Sequence, residues 1–230
     1  MSAKVVLSRP TSRPLWWGFV PYVLVSVVHV GTRFAYNDAV AGPTKLLLMP
    51  ALIVAAGWGL WRFANRVVFG LLVAGLFFSW LGDGAGAFFP FAPTLPLMLF
   101  CFGIAHLCYM RLFWHYLAIN SVPWWALVFG LWWIVLLVIM WPRTGALAVA
   151  VAAYGIVLGG TAALATRCHP VVLWGGVFFL ASDTILAFTL FAADLAPGWF
   201  SGTVMLTYTV GQGLIVAGAL ITVRTRRRGQ

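Results

Sequence analysis

Acidic residues are nearly absent from this chain. Four occur among 230 positions, at Asp38, Asp83, Asp183 and Asp194, and charged residues of both signs make up only 8% of the sequence. A soluble domain carries about 25%, so an ordinary water-facing surface is excluded. Cysteine is scarce as well. Cys101, Cys108 and Cys168 form no Cys-x-x-Cys pair and no Cys/His metal spacing, so they read as small buried hydrophobes, and neither a metal nor a cofactor is expected. The chain has no Gly-x-Ser-x-Gly elbow, which leaves the usual serine route to ester hydrolysis without its nucleophile. No internal repeat and no second domain are visible.

What the chain has is apolar length, with 63% hydrophobic residues. Eight runs stand out: Leu15–Gly31, Thr44–Trp61, Val67–Ala87, Leu97–Leu117, Pro123–Trp141, Gly145–Thr166, Val171–Phe191 and Gly202–Val223. Each is about 17–22 residues, enough to cross roughly 30 Å of hydrocarbon as a helix. The expected fold is an all-α integral membrane protein, one bundle of about eight transmembrane helices over residues 15–223. A basic arm (1–14) precedes it and a basic tail (224–230) follows. The arm before the first run resembles a signal peptide, but no small-residue cleavage site follows, so the run is expected to stay as helix one.

The formal charge of +10 sits mostly at the ends of the apolar runs. That pattern points to anionic lipid heads as the partner and away from nucleic acid, whose binders gather charge on one soluble face. Alternate segments carry Lys4, Arg9 and Arg13, then Arg62 and Arg66, Arg111, Arg167, and the cluster around Arg226. The opposite segments carry Arg33 with Asp38, an uncharged proline-rich link, Arg143, and Asp194. The positive-inside rule then predicts both termini in the cytoplasm of a multi-pass cell-membrane protein.

Two acidic residues fall in links, but Asp83 and Asp183 fall inside apolar runs. A charge there is costly unless it is paired, protonated or facing water, and intramembrane ionisable groups are functional candidates by default. Counting along the helices at 1.5 Å per residue puts Asp83 about 24 Å and Asp183 about 18 Å from the same face, at similar depth. Two neighbouring buried carboxyls do not ionise together, which leaves one acid and one base. A lone structural carboxyl bonded to a neighbouring helix is the bland alternative for each.

Other polar groups share the greasy background. Lys45 follows Thr44 at the start of the second run, a place from which a lysine can also snorkel to the surface. His106 and Tyr109 are three apart and Tyr208 and Gln212 four apart, so each pair shares a helix face. Ser79 precedes Asp83 by one turn, and Ser182 is next to Asp183. Spread over five predicted helices, they predict a polar pocket inside the bundle.

Five short motifs occur in order: Thr44-Lys45-Leu-Leu-Leu-Met49-Pro50, Ser79-Trp-Leu-Gly82-Asp83, Ala105-His106-Leu-Cys-Tyr109, Leu180-Ala-Ser182-Asp183 and Tyr208-Thr-Val-Gly-Gln212. Over residues 43–220 the chain resembles the YhhN-like lysoplasmalogenase family of eight-helix membrane enzymes. It departs from the family pattern at Leu46, where proline is usual, and at Gly211, where alanine is usual. The resemblance implies hydrolysis of the vinyl ether of a lysoplasmalogen, a lysophospholipid substrate, to a fatty aldehyde and a glycerophospho-base. It implies Asp83 and Asp183 as acid and base with His106 as a catalytic partner. Lys45 would hold the phosphate, with Ser79, Tyr109, Ser182, Tyr208 and Gln212 around the substrate. The rival reading is a proton-coupled transporter using the same carboxyls, although paired broken helices of the usual kind are not visible. An intramembrane aspartyl protease is disfavoured because Trp80 stands where its Gly-x-Gly-Asp motif needs glycine.

Overall fold

The computed structural model describes residues 15–60 and 65–228. The basic arm 1–14 and Arg62 lie outside the described residues. A 3-10 turn, Leu15–Phe19, leads into α1 (Val20–Phe34); α2 (Asp38–Leu60), α3 (Arg66–Asp83) and the single turn α4 (Ala85–Phe88) follow. Then come α5 (Thr94–Leu112), α6 (Leu127–Thr144), α7 (Ala148–Ala165), α8 (Pro170–Phe191) and α9 (Phe200–Arg228). Eight of these are long, and no strand occurs among the described residues. Six helical stretches among the described residues are long and apolar enough to cross a membrane. One of them, Trp124–Ala165, contains both α6 and α7. The chain is therefore a multi-pass membrane protein, as its composition requires.

The helix ends differ from the sequence expectation in instructive ways. The second helix begins at Asp38, not Thr44, because the Asn37 side chain accepts from Val40 N at 3.3 Å and Asp38 lies on the positive end of the helix dipole. Asp38 is thus the first residue of a helix and not part of a link, and it pairs with Arg33 at 2.6 Å. The third helix stops at Asp83, not at Ala87, where the chain breaks into α4. The gap between the fifth and sixth apolar runs, Pro142-Arg143-Thr144, is helical, with Pro142 inside α6. The reversal falls at Gly145, whose φ of 53° favours a residue without a Cβ. Asn65 caps α3 through Val67 N at 2.9 Å, and His169 caps α8 through Val171 N at 3.2 Å.

Packing neighbours define a closed ring: α1 on α2, α2 on α3, α3 on α5, α5 on α7, α7 on α8, α8 on α9, and α9 back on α1. α6 lies outside it, against α7 and α8. Its outward residues Leu131, Ile134, Val135 and Val138 are exposed at helical spacing, an apolar stripe that suits lipid. α8 and α9 are pressed closest. A Cβ on Gly211 would lie 2.8 Å from Phe179 N and 3.0 Å from Gly175 O, backbone atoms that cannot swing aside. This is the physical reason for glycine in place of alanine at that position, and it lets Tyr208 and Gln212 of α9 reach α3.

Candidate active site

A cavity of about 270 Å³ lies within the ring, near the end where α1 passes into α2 and α8 into α9. Asp83 and Asp183, 100 positions apart in sequence, both line it, together with Lys45, Ser182 and Tyr208. α3 delivers Asp83 as its last residue; α8 delivers Asp183 two turns before its own end.

Asp83 is enclosed, with its side chain 4% exposed, and two partners hold it. Tyr208 OH donates to Oδ2 at 2.7 Å, and Lys45 Nζ lies 3.4 Å from Oδ1. Lys45 is itself 34% exposed, so its ammonium touches both the carboxylate and the cavity. Its place in α2 is set by the Pro50-containing helix, and the next carbonyl, that of Leu46, accepts from Trp80 Nε1 at 2.9 Å. That bond ties α2 to α3 just before Asp83.

Asp183 has a different partner. Tyr154 OH, from α7, donates to Asp183 Oδ2. The same phenol oxygen lies 3.3 Å from His106 Nε2 on α5. His106 Nδ1 in turn lies 3.1 Å from Thr161 Oγ1, whose hydroxyl donates to Val157 O at 2.7 Å. With that hydrogen committed to the helix, Nδ1 carries the ring hydrogen and Nε2 is left as an acceptor beside the phenol, whose single hydrogen can go to Asp183 or to Nε2 but not to both. The result is a chain of groups, Asp183 to Tyr154 to His106 to Thr161, that can pass one proton along. His106 is fully buried and is absent from the cavity wall, so it reaches Asp183 only through Tyr154.

Three sequence candidates form a separate buried group. Tyr109 OH donates to Gln212 Oε1 at 2.8 Å, and Gln212 Nε2 donates to Ser79 Oγ at 3.0 Å. All three are fully buried and none lines the cavity. They join α5, α9 and α3 one turn behind Tyr208 and Asp83. Ser182 does line the cavity while donating to Val204 O at 2.9 Å, a bond across the α8–α9 seam.

Tyr154 was not foreseen from sequence. It and Thr161 are the two hydroxyl side chains in α7, seven residues and so two turns apart on one face. That spacing is the signal that could have found it. His29 and Arg33 of α1 also line the cavity and were likewise not read as site residues.

A second, apolar cavity of about 60 Å³ adjoins the first, lined by Trp132, Leu136, Val151 and Leu158 among others. Met98, Phe102, Asp183 and Leu186 line both. Asp183 therefore stands at a junction, with cations on one side and aliphatic walls on the other.

No curated protein and no solved structure matches this chain. The model of the YhhN family matches residues 41–219, from the first turn of α2 to the last third of α9 and so over both aspartates and every bonded partner described around them. The chain belongs to the YhhN family.

Proposed function

We propose that the protein is a membrane hydrolase that cleaves the vinyl ether of a lysoplasmalogen-like lysophospholipid. The observation that carries this is the shared cavity, where two carboxyls face each other's neighbourhood with unlike partners. Membership in the YhhN family is consistent with a hydrolase.

The substrate fits head-first and tail-last. Its phosphate sits near Lys45, where a partly exposed ammonium is available. Its single chain runs past Asp183 into the apolar cavity. The vinyl ether then lies at the junction.

Asp183 is the acid in this mechanism, since its described partners are a phenol and, beyond it, an imidazole, with no cation. It gives its proton to the β carbon of the vinyl ether. The alkene electron pair forms the new C–H bond, and an oxocarbenium ion results. Asp83, ionised beside Lys45, faces that cation and stabilises it. Water adds to the cationic carbon and loses a proton to the now-ionised Asp183, with Tyr154 and His106 sharing the load. The hemiacetal then collapses. Its C–O bond to glycerol breaks, the hydroxyl proton leaves, and the glycerol oxygen is protonated. One water is consumed, and a fatty aldehyde and a glycerophospho-base depart.

Aldehyde release by detergent-purified protein tests this. A lysoplasmalogen should yield aldehyde, and the saturated 1-O-alkyl analogue should not. No release from well-folded protein would remove the substrate assignment. Movement of unaltered solute across sealed vesicles would favour the carrier.

A further inference from the structure

The mechanism leaves one buried polar atom on the cavity wall unused. His29, in the last third of α1, is 1% exposed and lines the cavity with Lys45 and Arg33. Its Nδ1 lies 2.9 Å from Thr44 Oγ1. Thr44 has one hydroxyl hydrogen and gives it to the Val40 carbonyl at 2.7 Å. Oγ1 therefore accepts, and Nδ1 is the nitrogen that carries hydrogen in the neutral ring. Nε2 is left with a buried lone pair and has no hydrogen-bond partner among the described residues.

A buried acceptor without a donor is unfavourable until something supplies one. The nearest cations on this wall bond other groups and not Nε2. Lys45 lies against Asp83, and Arg33 donates to Asp38 and to Ser201 Oγ. An ammonium head group is a poor candidate donor beside those two cations. A neutral hydroxyl is the donor that fits. A lysophospholipid brings one on the glycerol carbon next to its ether, within the same few ångströms as the phosphate that Lys45 and Arg33 would attract.

We infer that His29 Nε2 accepts a hydrogen bond from the free glycerol hydroxyl of the lipid, and so selects lysolipids over their 2-acyl counterparts. The inference rests on the lysolipid reading above. A 2-acyl lipid has no hydrogen at that oxygen and would leave the lone pair unpaired. A site built to bond a hydroxyl rejects the analogue lacking it far more strongly than an apolar pocket rejects a methylene. His29 lies before residue 41, where the family match begins, so this contact is supplied by a segment outside the matched region.

The test is equilibrium binding, not turnover. The full chain in detergent is titrated with a saturated 1-O-alkyl-2-hydroxy phospholipid and with its 2-deoxy analogue, both inert to vinyl ether cleavage. Wild type should hold the hydroxyl lipid roughly tenfold or more tighter, the usual discrimination when one buried bond is lost. His29→Leu should erase the ratio by weakening the hydroxyl lipid alone. Thr44→Val, which frees the ring to move its hydrogen to Nε2, should shrink the ratio while keeping the imidazole. Equal binding of both lipids by wild type overturns the role of His29 and leaves the lysolipid reading standing. Binding of neither lipid by wild type overturns both. If His29→Leu does not fold, the wild-type ratio together with Thr44→Val decides.

Discussion

Asp83 and Asp183 reach one cavity from opposite surroundings. Asp83 ends its helix between an ammonium at 3.4 Å and a phenol at 2.7 Å. Asp183 stands within a helix and bonds a phenol that leans on a fully buried imidazole. Two identical carboxyls in identical settings would compete for one proton, and their roles would be interchangeable. In the proposed reaction the cation decides where charge rests, and the Tyr154–His106 chain decides where a proton can be held or returned. The same residue type would thereby be given two uses by its neighbours, as unlike environments separate paired carboxyls in acid–base enzymes generally.

The most severe way to break the contrast is to remove either carboxyl. Asp183→Asn should lower aldehyde release by about 10³-fold, and Asp83→Asn by about 10²-fold, the range general acid–base groups supply. Asparagine keeps an oxygen for Tyr154 or Tyr208, so unfolding temperatures in detergent should barely move. A variant with full turnover would end the assignment of its aspartate.

Removing the cation comes next. Lys45→Met leaves Asp83 enclosed without its partner, and turnover should fall about 30-fold, less than for the carboxyl itself. Stability should drop by about 1–2 kcal/mol, below the loss for a fully buried pair because Lys45 is one-third exposed to the cavity. Adding Asp83→Asn to Lys45→Met should restore the stability but not the turnover. Failure of that rescue would mean that the 3.4 Å approach has no energetic weight.

On the other side, Tyr154→Phe should lower kcat about tenfold and leave KM unchanged, since it removes the hydroxyl on Asp183 but keeps the ring that walls the apolar cavity. His106→Leu should cost about the same alone and nothing further in the Tyr154→Phe background, because the imidazole acts only through the phenol. Additive losses would place His106 on a separate route.

The asymmetry could not be read from sequence, although its ionisable components could. Asp83, Asp183, His106 and Lys45 stand out because an ionisable group in an apolar run has few innocent uses. Eight apolar runs of spanning length predict the bundle for the same reason. Helix ends were less legible. Asn37 and Asn65 act as caps through side-chain bonds that an apolar count does not register, and the helix of the fifth run continues through Pro142 beyond the run's end at Trp141. Tyr154 lies inside an apolar run with no charge to mark it, and its worth depends on a contact to α8 that only the ring of helices creates. Tyr109, Ser79 and Gln212 were grouped with the substrate pocket from their shared faces. The bundle turns those faces toward one another behind the cavity. Periodicity gives the face of a helix but not the neighbour it meets.

The smallest expected effect concerns what lies beyond Asp183. Trp132 of α6 walls the apolar cavity and donates through Nε1 to Thr184 Oγ1 at 3.1 Å, next to Asp183 in sequence. If the lipid chain enters that cavity, Trp132→Leu lengthens it at the far side from Lys45. Each methylene newly buried is worth about 0.8 kcal/mol at most, so kcat/KM should shift about threefold toward chains a few carbons longer. Two lysolipids differing only in chain length, offered in competition, read the shift directly. The head-group side should be untouched, so the ratio of 2-hydroxy to 2-deoxy lipid affinity should stay at its wild-type value. An unchanged chain-length preference would send the tail elsewhere. The open apolar groove of about 650 Å³ between α1 and α9, lined by Val27 and Leu214, is then the wall to alter next. A shift on Val27→Trp with none on Trp132→Leu would move the tail to the Asp83 side of the bundle and detach Asp183 from the junction between head and chain.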